Sequence, residues 1–313
     1  MEMRKLGRSG PTIAPLVLGG NVFGWTADET TSFALLDRFV ERGFNAIDTA
    51  DVYSAWAEGN NGGESETVLG RWLKHRGRRE DVIIMTKVGM WEAHKGLSAD
   101  NIRVAVESSL RRLQTDYIDV YFAHLDDQTT PLEETLEAFS RLVDAGKVRC
   151  LGASNYTGER LSAALRCAAE HGLARYEVIQ PQYNLYDRAD YEQGLASHAQ
   201  QEELGVVSYF ALASGFLTGK YRSQEDLQGS QRTAFLQRYF NPRGDRILKA
   251  LEDIAAQTNA TPAQLSLAWL LAQPALSAPI ASATRIEQLD QILDAVELQL
   301  SEDVLRQLDE ASA

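Results

Sequence analysis

The stretch Asn45–Ser54, "NAIDTADVYS", starts as the interior of a protein and then departs from it. Ala46 and Ile47 suit a buried parallel strand, yet Asp48 closes the run with a carboxylate, and Tyr53 follows five residues later. An apolar strand that ends on a charge calls for a partner or a task. The rest of the chain shows where such strands recur.

Short β-branched or apolar runs alternate with helical patterns from beginning to end. The predicted strands are 16–20 (LVLGG), 44–48 (FNAID), 82–87 (VIIMTK), 117–124 (YIDVYFAH), 148–154 (VRCLGAS), 176–181 (YEVIQP), 206–210 (VVSYF) and 277–282 (SAPIAS), eight in all. Between them, Thr130, Pro131 and Glu133 read as an N-cap, a first-turn proline and a capping-box acid. Leu136, Phe139 and Val143 then recur at helical spacing until Gly146 stops the helix. Thr261 to Gln264 repeats that grammar, and Ser98 opens a helix carrying Ile102, Val106, Leu110 and Leu113 on one stripe. Strands alternating with helices imply a parallel sheet. Eight of them, with no glycine-rich fingerprint after the first, favour an α/β fold of the closed (β/α)8, or TIM-barrel, type. The opening segment is expected to add a short N-terminal β-hairpin that plugs the barrel floor. No linker or shift in composition divides residues 1–313, so one barrel domain is expected.

With 44% hydrophobic and 24% charged residues, the chain has the means to bury a large core. A net charge of −13 argues against nucleic acid and anionic membranes as partners. No apolar run reaches transmembrane length and no leader pattern opens the chain, so a cytoplasmic location is expected. Cys150 and Cys167 form neither a disulfide framework nor a zinc motif, and the five histidines show no ligand pairing. No metal site is expected, and nothing marks a protein partner.

In such barrels catalytic groups gather where strands end. The second predicted strand ends at Asp48, the third at Lys87 and the fourth at His124, with Tyr53 just beyond the second. A tyrosine, with a reference pKa of about 10, yields its proton poorly at neutral pH. An adjacent ammonium stabilises the phenolate and makes the phenol a usable general acid. Lys87 supplies that charge in this reading, Asp48 holds Lys87, and His124 hydrogen-bonds a carbonyl oxygen. The set suits protonation of the oxyanion formed when hydride reaches a carbonyl carbon. Each residue alone has an ordinary reading as a cap, an ion pair or core packing. Four at consecutive strand ends are harder to read that way.

These residues, "IDTADVYS", the "TK" of the next strand and the histidine of the fourth, resemble the Asp-Tyr-Lys-His tetrad of the aldo-keto reductase family, in its bacterial-type members. The resemblance runs through "GGESETVLGRWL", "GKVRCLGASNY", "IQPQYNLYDR" and "LTGKYR", essentially the whole chain. It implies an oxidoreductase that reduces aldehydes or ketones reversibly, with Tyr53 as proton donor or acceptor, Lys87 and Asp48 tuning it, and His124 orienting the substrate. It also implies a nicotinamide dinucleotide bound without a Rossmann fold, NADP(H) being favoured over NAD(H).

The positions matching the family's cofactor site are Gly20, Asn21, Asp48, Ser154, Asn155, Gln180, Tyr209, Phe210, Leu212, Ser214, Gly215, Lys220, Arg232, Ser282, Thr284, Arg285 and Gln288. Ser154, Asn155 and Gln180 suit a carboxamide, and Tyr209 offers a ring for nicotinamide, with core packing as its plain alternative. Thr284 and Glu287 read as a capping box whose helix N-terminus, with Arg285 in its first turn, suits an anion. Residues 220–246 hold six cationic side chains (Lys220, Arg222, Arg232, Arg238, Arg243, Arg246) against three acids, an excess that suits phosphates. Phe210-Ala211 departs from the Ser-Pro frequent in relatives, and Gln291 and Ile292 depart around the adenosine. Trp25, Trp56 and Trp91 follow the first three strands and are candidate walls of an apolar substrate pocket; loop packing is the equal alternative. A second reading is a nucleotide-binding regulatory module resembling the potassium-channel beta subunits.

Overall fold

The computed structural model describes residues 1–227 and 233–313. β1 (Arg4–Lys5) and β2 (Thr12–Ile13) pair antiparallel as the predicted hairpin. Then come β3 (Val17–Gly19), β4 (Ala46–Asp48), β5 (Ile83–Val88), β6 (Ile118–Ala123), β7 (Val148–Ser154), β8 (Tyr176–Gln180), β9 (Gly205–Ser208) and β10 (Ala278–Ala281). These eight close into a parallel barrel in the order β10-β3-β4-β5-β6-β7-β8-β9. All eight predicted strands are present, trimmed or shifted by a residue or two at their ends.

The principal helices are α1 (Glu29–Glu41), α2 (Glu64–Arg76), α3 (Ala99–Leu113), α4 (Leu132–Asp144), α5 (Gly158–His171) and α6 (Ala196–Gln201). They continue with α7 (Thr233–Leu236), α8 (Pro242–Ala255), α9 (Pro262–Leu271), α10 (Ile286–Asp294) and α11 (Glu302–Ser312). Among the described residues no helix is long and apolar enough to cross a membrane.

The core forms two apolar clusters, as strand alternation dictates. Val17, Ala46, Met85, Val120, Phe122, Cys150, Val178, Val207, Ala278 and Ile280 fill the barrel interior, and Leu6 and Ile13 of the hairpin join them. The hairpin therefore plugs the floor as expected. The alternate residues, such as Ile47, Ile84, Tyr121 and Leu151, face the helices beside Trp72, Phe139 and Trp269. Where α2 crosses α3, a side chain at Gly70 would come within 1.9 Å of the Arg112 carbonyl, so only glycine permits the approach.

The N-terminus of α9 is capped as predicted, Thr261 and Gln264 bonding reciprocally. Two other predicted boxes do not form. Thr130 donates its hydroxyl to Asp127 Oδ2 at 2.7 Å, leaving α4 without a side-chain cap. At α10 the N-cap is Arg285, one residue late, because Gln288 reaches back to the Thr284 amide and hydroxyl, 3.1 Å from each. In both cases a nearby polar side chain competes successfully for the threonine.

Candidate active site

Period-two alternation places the charged strand ends inside the barrel mouth. Asp48 lies two residues past interior Ala46, Lys87 two past Met85, and His124 two past Phe122. By the same step Gln180 follows Val178, Tyr209 follows Val207 and Ser282 follows Ile280. Parallel pairing of β4, β5 and β6 brings the first three together.

The Lys87 ammonium is fully buried and lies 2.8 and 2.7 Å from the two Asp48 oxygens. It also donates to the Thr49 carbonyl and to the Tyr53 hydroxyl, each at 2.8 Å. Tyr53 in turn donates to Asp48 Oδ2 at 3.0 Å, and Gln180 Nε2 donates to Asp48 Oδ1 at 2.8 Å. The Asp48 carboxylate is thus met by three side chains. The Tyr53 and His124 rings meet edge to face with centroids 6.1 Å apart. His124 is buried, and its Nδ1 has no hydrogen-bond partner among the described residues.

Burial, reinforced by Lys87, depresses the His124 pKa well below its usual value, so the imidazole is neutral at physiological pH. Burial also lowers Lys87, with Asp48, Asp51 and Glu66 pulling the other way. The expected acidification of Tyr53 does not hold here. Its pKa is raised well above the usual value, first by burial and then by the Asp48 carboxylate that accepts its proton. A low-dielectric site disfavours a second anion beside Asp48 more than Lys87, already shared four ways, favours it. Tyr53 therefore keeps its proton throughout the physiological range.

The ends of β7, β8 and β9 form a connected polar shelf. Ser154 donates to the Gln180 carbonyl at 2.9 Å, and Asn155 Nδ2 donates to the His124 carbonyl at 2.8 Å. Tyr209 donates to Asn155 Oδ1 at 2.8 Å and stands near enough to Tyr53 to disfavour its phenolate. Past β9, Phe210, Ala213, Ser214 and Gly215 all have φ between +47° and +99°. Such a left-handed run in non-glycine residues is uncommon and clusters at ligand sites. Leu212 precedes its last three members. On the far side of the mouth, Ser282 donates to Asn21 Oδ1 at 2.6 Å, beside Gly20 at the end of β3.

The predicted cationic loop is mostly committed elsewhere. Arg222 pairs with Glu252 and Arg238 with Asp187. Arg243 donates to the Ser312 carbonyl at 2.5 Å and Arg246 to the Ala313 carbonyl at 3.3 Å, tying down the C-terminus. Lys220 stays exposed, its ammonium 4.6 Å from the centre of the Tyr221 ring, and Arg285 is exposed at the start of α10. Arg232 lies outside the described residues.

Beside Tyr53 opens a cavity of about 640 Å³ lined by Trp25, Trp56, Glu58, Asn60 and Phe235, among others. Trp25 and Trp56 meet edge to face at 5.6 Å, and Trp56 lies 6.1 Å from the Tyr53 ring. Trp91 is not part of this lining. Its ring packs on Gly62, near His94 and under the Arg112 guanidinium. Phe235 and Glu58 escape a sequence reading, since neither sits at a strand end or in a motif. Phe235 reaches the cavity from α7, nearly two hundred residues away in the chain.

A closed parallel barrel with an Asp-Tyr-Lys-His cluster at its mouth defines a class, and the comparisons name it. The profile described as "Aldo/keto reductase family" matches residues 15–313, and the chain belongs to that family. It is an oxidoreductase by that membership, and such enzymes generally use a nicotinamide cofactor. The chain is 35% identical to the "Uncharacterized oxidoreductase YrpG" of Bacillus subtilis (strain 168), over 99% of this chain and 95% of that protein. It is 33% identical to "Aldo-keto reductase YhdN" of the same organism, over 87% and 80%. The "Probable voltage-gated potassium channel subunit beta" of Oryza sativa subsp. japonica is also 33% identical, over 95% and 92%.

Proposed function

We propose that this chain is an NADP(H)-dependent reductase of aldehydes and ketones, in which Tyr53 transfers the proton. One observation carries the reading: the Tyr53 hydroxyl is clamped between the Lys87 ammonium at 2.8 Å and Asp48 Oδ2 at 3.0 Å, and the Tyr53 ring meets Trp56, a wall of an open cavity. A bound reduced nicotinamide supplies the hydride. Ser154, Asn155, Gln180 and the Tyr209 ring are the groups that would hold its nicotinamide end, and Gly20, Asn21 and Ser282 flank them. Lys220 and Arg285 are the exposed cations suited to its phosphates, which supports NADP(H), with Thr284 and Gln288 framing that helix start.

As the carbonyl carbon gains an electron pair, its oxygen becomes basic and takes the Tyr53 proton, giving the alcohol. Lys87 then stabilises the phenolate until it is reprotonated. Neutral His124 hydrogen-bonds the carbonyl oxygen without competing for that proton. The Trp25–Trp56–Phe235 cavity supports aromatic or medium aliphatic substrates. The two unpaired cysteines suit a reducing compartment, and we place the enzyme in the cytoplasm.

The test is Tyr53→Phe, which keeps the ring and removes the proton. Carbonyl-dependent NADPH oxidation should fall by about 10²- to 10⁴-fold, the usual worth of a positioned acid. Retained activity refutes the mechanism, and a clear preference for NADH in paired kinetics refutes the cofactor assignment. A second reading, a nucleotide-binding regulatory module, is favoured by the similarity to potassium-channel beta subunits over nearly the whole chain. Tight NADPH binding with no turnover across a broad carbonyl panel would establish it instead.

A further inference from the structure

Asp51 lies three residues beyond Asp48, where the chain leaves the barrel interior. It is fully buried, and neither carboxyl oxygen has a hydrogen-bond partner among the described residues. The Val52 amide offers it minor relief, short of a hydrogen bond. Titratable groups face it from four elements: Glu66 of α2, Arg112 of α3, Lys87 of β5 and Tyr121 of β6. The Tyr121 hydroxyl is also buried without a partner. The Asp51 amide donates to the Lys87 carbonyl at 3.4 Å, so the two residues are joined through backbone as well.

Charge in this region already balances without Asp51. Lys87 pairs with Asp48 and Arg112 with Glu66, so an ionised Asp51 would be a third buried carboxylate against two cations. A buried carboxyl that lacks donors is more stable as the neutral acid. Its pKa is accordingly pushed up to about 8, by burial first and by Glu66 second, while Arg112 and Lys87 oppose the rise.

We propose that Asp51 is a positioning residue for the reaction inferred above: as the neutral acid it leaves the Lys87 ammonium to Asp48 and Tyr53, and once ionised it competes for that ammonium and weakens its support of the Tyr53 phenolate. The role rests on the proposed reductase function. It acts through Lys87 and touches no reacting atom. Loss of the Asp51 proton to solvent is the only chemical step, and it slows carbonyl reduction on the alkaline side.

The experiment compares the pH dependence of kcat/KM for carbonyl reduction in the wild type and in Asp51→Asn, alongside an infrared titration of protein labelled with ¹³C-aspartate. The wild type should lose activity several-fold through an inflection near pH 8 that the variant lacks. The wild type should also show a protonated aspartic-acid carbonyl band at neutral pH, lost through the same range and absent from Asp51→Asn. Identical inflections in both profiles, or no acid band in the wild type at neutral pH, overturn the proposal. If the variant does not fold, the wild type decides: an acid band and activity lost together through the same pH range support the proposal, and either change without the other overturns it. A wild type that reduces no carbonyl sinks the function and the positioning role together, while the band still separates that failure from a misread Asp51.

Discussion

Buried charge lies on both sides of strands β4 to β6, and the two sides are finished differently. On the inner face Asp48 accepts from Lys87, Tyr53 and Gln180. On the helix-facing side Glu66 accepts from Thr86 and from Arg112, both at 2.6 Å, while neighbouring Asp51 accepts from no donor among the described residues. Both sides are almost dry. Where donors converge on a carboxylate, burial is tolerated and its charge is put to use; where they do not, the group is better off keeping a proton. That contrast locates the chemistry on the inner face and a titrating neighbour behind it.

The largest effect should come from Lys87→Met. It removes the cation beside Tyr53 and leaves Asp48 without its counter-ion, so carbonyl reduction should fall by about 10²- to 10⁴-fold in steady-state kinetics. Arg112→Met tests the helix-facing side. Glu66 is fully buried and would keep only Thr86, so urea unfolding should register a loss of about 3–5 kcal/mol, the usual cost of breaking a buried pair. Activity should drop far less than in Lys87→Met; an equal drop would erase the distinction between the two sides.

Asp51→Asn should have the smallest effect on activity at neutral pH, where asparagine mimics the neutral acid, and its effect on stability depends on pH. In the unfolded chain an aspartate ionises near about pH 4, whereas folded Asp51 holds its proton to about 8. Between those values the folded state binds the extra proton, so stability falls as pH rises and levels off above about 8. The asparagine variant lacks that slope. Its advantage in Tm should therefore grow from about pH 5 to about pH 8, and a constant difference would show that Asp51 is already ionised in the fold.

Much of the fold is legible in the chain because its signals are local. Alternation, turn residues and caps mark eight strands and the hairpin, and the same alternation carries Asp48, Lys87 and His124 into the mouth. The misreadings share one cause. Thr130 and Thr284 each found a polar neighbour that local grammar does not weigh, namely Asp127 and Gln288. Arg222, Arg238, Arg243 and Arg246 count as spare cations in a window, yet Glu252, Asp187 and the C-terminal carbonyls claim them. Trp91 sits after the right strand and still packs against Gly62 and Arg112, away from the cavity.

The amino-acid order by itself determines which side chains point inward, because a strand's period of two is a property of the backbone. It also determines that Tyr53 lies within reach of Lys87 once β4 and β5 pair. Tertiary structure alone decides the protonation of Tyr53 and His124, the arrival of Phe235 at the cavity, and the isolation of Asp51. Those depend on burial and on charges summed over groups remote in the chain, and both are set by distances through space that no window of sequence contains.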